Sequence, residues 1–79
     1  MIACQFALYP LGVEDLGPVI DRALDALKAP GIEVETGPMS TMLVGETASV
    51  FAALQRAFEA AGGESHVVMT ATLSNACPV

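Results

Sequence analysis

The apolar residues of this chain keep changing their period, and the order of those changes leaves few folds open. Residues 2–9 form a short, mostly apolar run of strand formers, which Pro10 and Gly12 are expected to stop because neither extends a ladder cheaply. Leu16, Val19, Ile20, Ala23, Leu24 and Leu27 then fall at the i, i+3, i+4, i+7 positions of one helical face. Ile32, Val34 and Thr36 alternate with Glu33, Glu35 and Gly37, a period of two with acids on one side, as suits an edge strand guarded by charge. After the Gly37-Pro38 turn, residues 40–46 read as a third strand forming a hairpin with the second. A second helix follows with the stripe Val50, Phe51, Leu54, Ala57, Phe58 and Ala61, and residues 66–74 form the last strand.

Helix boundaries have chemical markers. Asp15 is the expected N-cap of the first helix, which places Pro18 in the first turn, where its missing N–H costs no internal bond. Pro30 and Gly31 end that helix. Thr47 is the expected N-cap of the second, and Gly62-Gly63 its stop, by offering a left-handed residue after the last turn.

The order β-α-β-β-α-β divides into two βαβ units with right-handed crossovers. Its compact solution is an α+β, ferredoxin-like sandwich: an antiparallel sheet in the order 4-1-3-2 with both helices on one face. Side-chain parity then sorts the strands. Cys4, Phe6 and Leu8 on the first strand, and Val67, Met69, Ala71 and Leu73 on the last, should face the helices. Ala3, Gln5, Ala7 and Tyr9, with His66, Val68, Thr70, Thr72 and Ser74, should lie on the open face. The third strand stays ambiguous, because Ser40, Met42 and Val44 are no more polar than Thr41 and Leu43. An open face of hydroxyls, an amide, a phenol and a few apolar groups serves poorly as a solvent face or a sealed core. It suits a subunit interface enclosing a polar ligand, and competes with a purely structural dimer interface.

Size supports association. With 79 residues the chain is expected to form one domain over residues 1–79. A chain this short buries only roughly 60% of its unfolded surface on folding. Hydrophobic residues make up 53% and charged residues 15%, an apolar balance that predicts a homodimer or higher homo-oligomer joined through the open face. No apolar stretch approaches the roughly 20 residues of a membrane helix, and residues 1–9 lack the basic flank of a signal peptide, so the expected compartment is the cytoplasm. The net charge of −6, with Arg22, Lys28 and Arg56 the sole basic residues, disfavours a nucleic-acid partner. Cys4 and Cys77 lack any zinc, haem or redox spacing and read as reduced thiols. In a 4-1-3-2 sheet they become neighbours, each with inward parity, and are expected to stay unpaired in a reducing compartment.

Several blocks together resemble a known family: Cys4-Gln5-Phe6-Ala7-Leu8-Tyr9-Pro10, Ser40-Thr41 with Gly45 closing that strand, and His66-Val67-Val68-Met69 through Ser74-Asn75-Ala76-Cys77-Pro78. They look like one repeat of the YkoF-like thiamine and hydroxymethylpyrimidine binding proteins, with matching spacing over nearly the whole chain. The resemblance implies a ferredoxin-like fold, no catalysis, no cofactor, and a pocket for the aminopyrimidine ring of thiamine. It also implies a role in supplying or sensing the vitamin or its precursor. The best known arrangement carries two repeats in one chain, so here a homodimer would replace the tandem pair.

An aminopyrimidine requires an acceptor for its exocyclic amine, donors for its ring nitrogens and a flat wall. The candidate ligand-binding residues are Gln5, Ala7, Tyr9, Ser40, Thr41, Glu46, Thr72 and Ser74. Gln5 supplies donor and acceptor, Ser40 and Thr41 supply hydroxyls, Tyr9 or Phe6 supplies the wall, and Glu46 faces the cationic thiazolium. Competing structural readings make Phe6 a core residue, Thr41 a plain strand residue, Glu46 a helix-dipole partner and His66 a solvated side chain. Catalysis has thin support: one histidine, no metal-ligand cluster, no phosphate loop. The alternatives are a cofactor-free enzyme of the dimeric ferredoxin-like type, using His66 or Tyr9, and a regulatory module similar in architecture to ACT domains.

Overall fold

A computed structural model describes residues 1–12, 14–15, 17–37, 40–63 and 66–76. Its elements are β1 (Ile2–Leu11), α1 (Gly17–Leu27), β2 (Glu33–Thr36), β3 (Thr41–Gly45), α2 (Thr47–Gly62) and β4 (His66–Ser74). The four strands form one antiparallel sheet in the order β2-β3-β1-β4, the expected ferredoxin-like arrangement.

The core lies between the sheet and the two helices. Ile2, Cys4 and Phe6 of β1 meet Leu43 of β3, Val19, Ala23 and Leu27 of α1, and Val50, Ala53, Leu54, Ala57 and Ala61 of α2. Leu8, Val67 and Met69 pack against this core with the expected parity. Pairing resolves the third strand: Cys4 stands opposite Leu43 and Phe6 opposite Thr41, so Thr41, Leu43 and Gly45 face the helices while Met42 and Val44 face outward. Small residues are buried on both helices, Ala23 on α1 and Ala53, Ala57 and Ala61 on α2, which lets the two pack closely. Arg56 ties that contact down, donating from Nε to the Ala26 carbonyl at 2.8 Å and from a terminal nitrogen to the Leu27 carbonyl at 3.4 Å. These carbonyls belong to the last turn of α1, whose acceptors have no partner inside the helix.

Some boundaries depart from the sequence expectation. β1 does not stop at Tyr9 but runs through Pro10 to Leu11, still paired with β4. A proline is tolerated there because β3 pairs with β1 only as far as Phe6, leaving one side of the strand without a ladder to break. β3 is shorter than expected, with Ser40 and Glu46 outside it. Glu46, rather than Thr47, occupies the N-cap of α2, with extended backbone and no side-chain cap bond. Asp15 does serve the start of α1, its Oδ1 accepting from the Gly17 amide at 3.0 Å. Gly63 is right-handed, and the left-handed glycines among the described residues are Gly12 and Gly31. Phe51 and Phe58, expected in the α2 stripe, are 54% and 45% exposed, flanking the buried face. Cys4 is buried opposite Leu73; Leu16 and Cys77 lie outside the described residues, and so does the expected proximity of the two cysteines.

Candidate functional site

The unequal lengths of β1 and β3 create a notch in the sheet. β1 and β3 pair from Ile2 opposite Gly45 to Phe6 opposite Thr41, whereas β1 continues beside β4 as far as Leu11 opposite His66. Past Phe6, no described residue pairs with β1 on its β3 side. A cavity of about 200 Å³ occupies that space. Phe6, Ala7, Leu8 and Tyr9 form its strand wall, Ile20, Ala23 and Leu24 of α1 its apolar roof, and Thr36, Gly37, Ser40 and Thr41 its polar rim.

The rim is held by backbone and side-chain bonds. The Gly37 amide donates to the Ser40 carbonyl at 2.8 Å, closing the turn between β2 and β3. Gln5 Nε2 donates to Ser40 Oγ at 2.9 Å, fixing both side chains. An amide has two N–H donors and a carbonyl acceptor, so this bond occupies one donor and leaves a donor and an acceptor for further partners. Ser40 and Thr41 are consecutive, and both line the cavity where β3 begins. Among the described residues the lining contains hydroxyls, a phenol and hydrocarbon but no carboxylate, amine or guanidinium. Such a wall suits a neutral, flat, hydrogen-bonding ring better than an ion.

The structure brings together part of the expected set. Ala7, Tyr9, Ser40 and Thr41 line the cavity, and Gln5 reaches its rim through Ser40. Thr72 stands opposite Gln5 on β4, on the open face. Ser74 is one pair further along that face, opposite Ala3, and its Oγ accepts from the Ala76 amide at 3.1 Å. Glu46 is placed elsewhere: it follows Gly45, opposite Ile2, at the other end of the sheet from Tyr9. His66, opposite Leu11, is exposed and does not line the cavity. Sequence reasoning missed the roof of Ile20 and Leu24 and the rim of Thr36 and Gly37. The available signals were the apolar stripe of α1, wider than one strand needs, and the turn preceding Ser40.

Other hollows are less coherent. One of about 620 Å³ along β2 and β3 is lined by Met1, Glu33, Val34, Glu35, Met42 and Val44 and contains none of the expected residues. Among the described residues no cluster of His, Cys, Asp and Glu could hold a metal ion, and no helix is long and apolar enough to cross a membrane.

Comparison with known proteins agrees with this architecture. A protein from Methanocaldococcus jannascii superimposes with a TM-score of 0.85 at 21% identity, covering 94% of this chain and 78% of that one. A Thermotoga maritima structure described as a "putative thiamine biosynthesis/salvage protein" gives a TM-score of 0.78 at 24% identity, covering 92% and 81%. At such identities both bear on the fold alone. In sequence, the chain is 37% identical over 76 residues to the Bacillus subtilis "Putative HMP/thiamine-binding protein YkoF", covering 95% of this chain and 38% of that protein's length. The model of the YKOF-related family matches residues 1–79. With the blocks around Gln5, Ser40 and Ser74 set in a βαββαβ sandwich, this full-length match establishes that the chain belongs to the YkoF-related family.

Proposed function

We propose that the chain binds thiamine through its aminopyrimidine half, or free hydroxymethylpyrimidine, in the notch beside β1, and that it does so without catalysis. The observation that carries this reading is the Gln5–Ser40 bond at the polar rim of a cavity whose described lining carries no charged side chain. It presents an oriented amide and hydroxyl to the edge of a ring whose faces would meet Tyr9, Ile20 and Leu24. At about 200 Å³ the cavity is smaller than the roughly 300–1,000 Å³ of sites for drug-sized ligands, which favours one ring over two. The thiazolium then projects from the mouth, where the net charge of −6 is a favourable field for a cation. The name of the Bacillus subtilis relative supports the same ligand class.

In this reading the protein acts in supply or sensing of the vitamin or its precursor, in the cytoplasm, as a homodimer through the open sheet face. Titration calorimetry with hydroxymethylpyrimidine, thiamine and thiamine phosphate tests it. Heat is expected with the first two, the pyrimidine alone retaining most of the affinity of thiamine. A folded protein that binds none of the three overturns it.

A further inference from the structure

The two helices do not sit alike on the sheet. The backbone of α2 runs close over β1, β3 and β4, whereas that of α1 runs close to α2 and, among the described residues, approaches no strand comparably. Val19, Ala23 and Leu27 still reach the core, but the cavity lies beneath α1, with Ile20, Ala23 and Leu24 above it and β1 below. The last turn of α1 contains no basic residue to engage its carbonyls. Lys28, the next residue, is exposed and turns to the Asp25 carboxylate at 3.4 Å. The anchor comes from α2 instead. Arg56, partly buried, donates from Nε to the Ala26 carbonyl at 2.8 Å and from Nη2 to the Leu27 carbonyl at 3.4 Å. Leu24 and Ala23 stand three and four residues before Leu27, about one helical turn from this clamp. Arg56 itself lines no part of the cavity.

We infer that Arg56 is a positioning residue for the cavity: by clamping two consecutive carbonyls of α1 it sets the height and rotation of the roof over β1, and so the fit of the ring beneath. This role rests on the reading of the cavity as the pyrimidine site. The guanidinium is suited to it, because two N–H groups held in one plane engage two acceptors at once and fix an orientation. A single ammonium on a flexible stem would leave that orientation free. The roof must be held closely, since binding constellations tolerate displacements of only roughly 0.5 Å, and a cavity of about 200 Å³ has little slack around one ring. Charge alone would act in the opposite direction. Arg56→Met removes one of three cations from a chain of net charge −6, and the stronger negative field would then draw cationic thiamine more tightly.

Calorimetry with hydroxymethylpyrimidine and thiamine on the folded, whole chain tests the role. Arg56→Met is expected to weaken both ligands by at least roughly fivefold, the low end of coupling between separate sites, with Arg56→Lys between that variant and the parent. A clamp that serves stability alone would lower the urea midpoint and leave both affinities at the parent's value. An effect of charge alone would strengthen thiamine binding. Either result overturns the inference. Coupling is reciprocal, so the ring should act back on the clamp in the parent, a measurement that serves if neither variant folds. The Arg56 Nε–H resonance is expected to exchange more slowly with solvent once hydroxymethylpyrimidine is bound, and an Nε–H indifferent to the bound ring overturns the role of Arg56 alone. A parent that binds neither compound overturns the reading of the cavity, and the role of Arg56 with it.

Discussion

Gln5 and Ser40, 35 positions apart in the chain, are joined by a 2.9 Å hydrogen bond from amide to hydroxyl at the rim of the candidate cavity. The bond connects the middle of β1 to the turn that closes β2 onto β3, and it orients the amide before any ligand arrives. Removing the amide leaves the ligand a lost partner and Ser40 free to rotate. Gln5→Ala should weaken pyrimidine binding by about 1–3 kcal/mol, roughly 5–150-fold, with little change in folding. Thr41→Val, close in shape but without the hydroxyl, should cost a similar amount. Calorimetry on both variants checks this; parent-like affinity in both would place the pocket elsewhere.

The strand order and the parity of β1 and β4 were legible because burial imposes a period, and a one-residue slip would reverse every side chain of the strand. Helix rotation was less legible. The stripe through Val50, Leu54, Ala57 and Ala61 is shared by any rotation that buries it, and adding Phe51 and Phe58 or adding Ala53 satisfies the spacing equally well. The small side of α2 buried instead, because Ala53 and Ala57 allow α1 to approach closely. At the site, strand parity drew Gln5, Ala7 and Tyr9 together on the open face, whereas Ser40, on a strand whose parity stayed ambiguous, was named for its hydroxyl. It could not show the notch, which exists only because β3 ends at Thr41 while β1 continues. Nor could it show that Glu46 lies at the far end of the sheet, a consequence of strand direction and register.

The open face makes its own prediction. Val68 stands opposite Tyr9 and is 47% exposed in the single chain. If this face joins two copies, Val68→Glu buries an unpaired carboxylate in the interface, which such contacts tolerate poorly. Light scattering should show a mass half that of the parent. An unchanged mass would remove the open face from the assembly.

Gly45 ends β3 where the chain passes closest to the α1–β2 connection. A β-carbon there would sit 2.8 Å from the Gly31 carbonyl oxygen and 3.0 Å from Ile32 Cδ1. Gly31 has little freedom to yield, since its φ of +84° holds the connection in a left-handed conformation. Gly45→Ala should therefore force the hairpin apart and cost about 1–3 kcal/mol, as overpacking of an interior does. Urea unfolding should show a lower midpoint at unchanged slope. A midpoint equal to the parent's would mean that the connection relaxes freely.

Cys4 gives the final prediction, since it is 1% exposed in the core and burial raises its thiol pKa above the ordinary value. Desolvation penalises the thiolate, so the folded protein holds the proton more tightly than the unfolded chain does. Two consequences follow. In a Cys77→Ser background, the native protein should react with a chromogenic thiol reagent only at the rate of its opening, whereas the denatured protein should react at once. Stability should also depend on this proton. Below about pH 9, the ordinary thiol value, both states are protonated and the contribution is complete. As pH rises past that point the unfolded chain ionises first, and stability falls until the folded thiol also titrates. A Cys4→Ala variant starts less stable, because it leaves a small void, but should lack this component of the alkaline decline. Urea midpoints of the two proteins from pH 7 to pH 10.5 should therefore converge as pH rises. Parallel curves, or rapid labelling of the native thiol, would show that Cys4 is not sealed in the core.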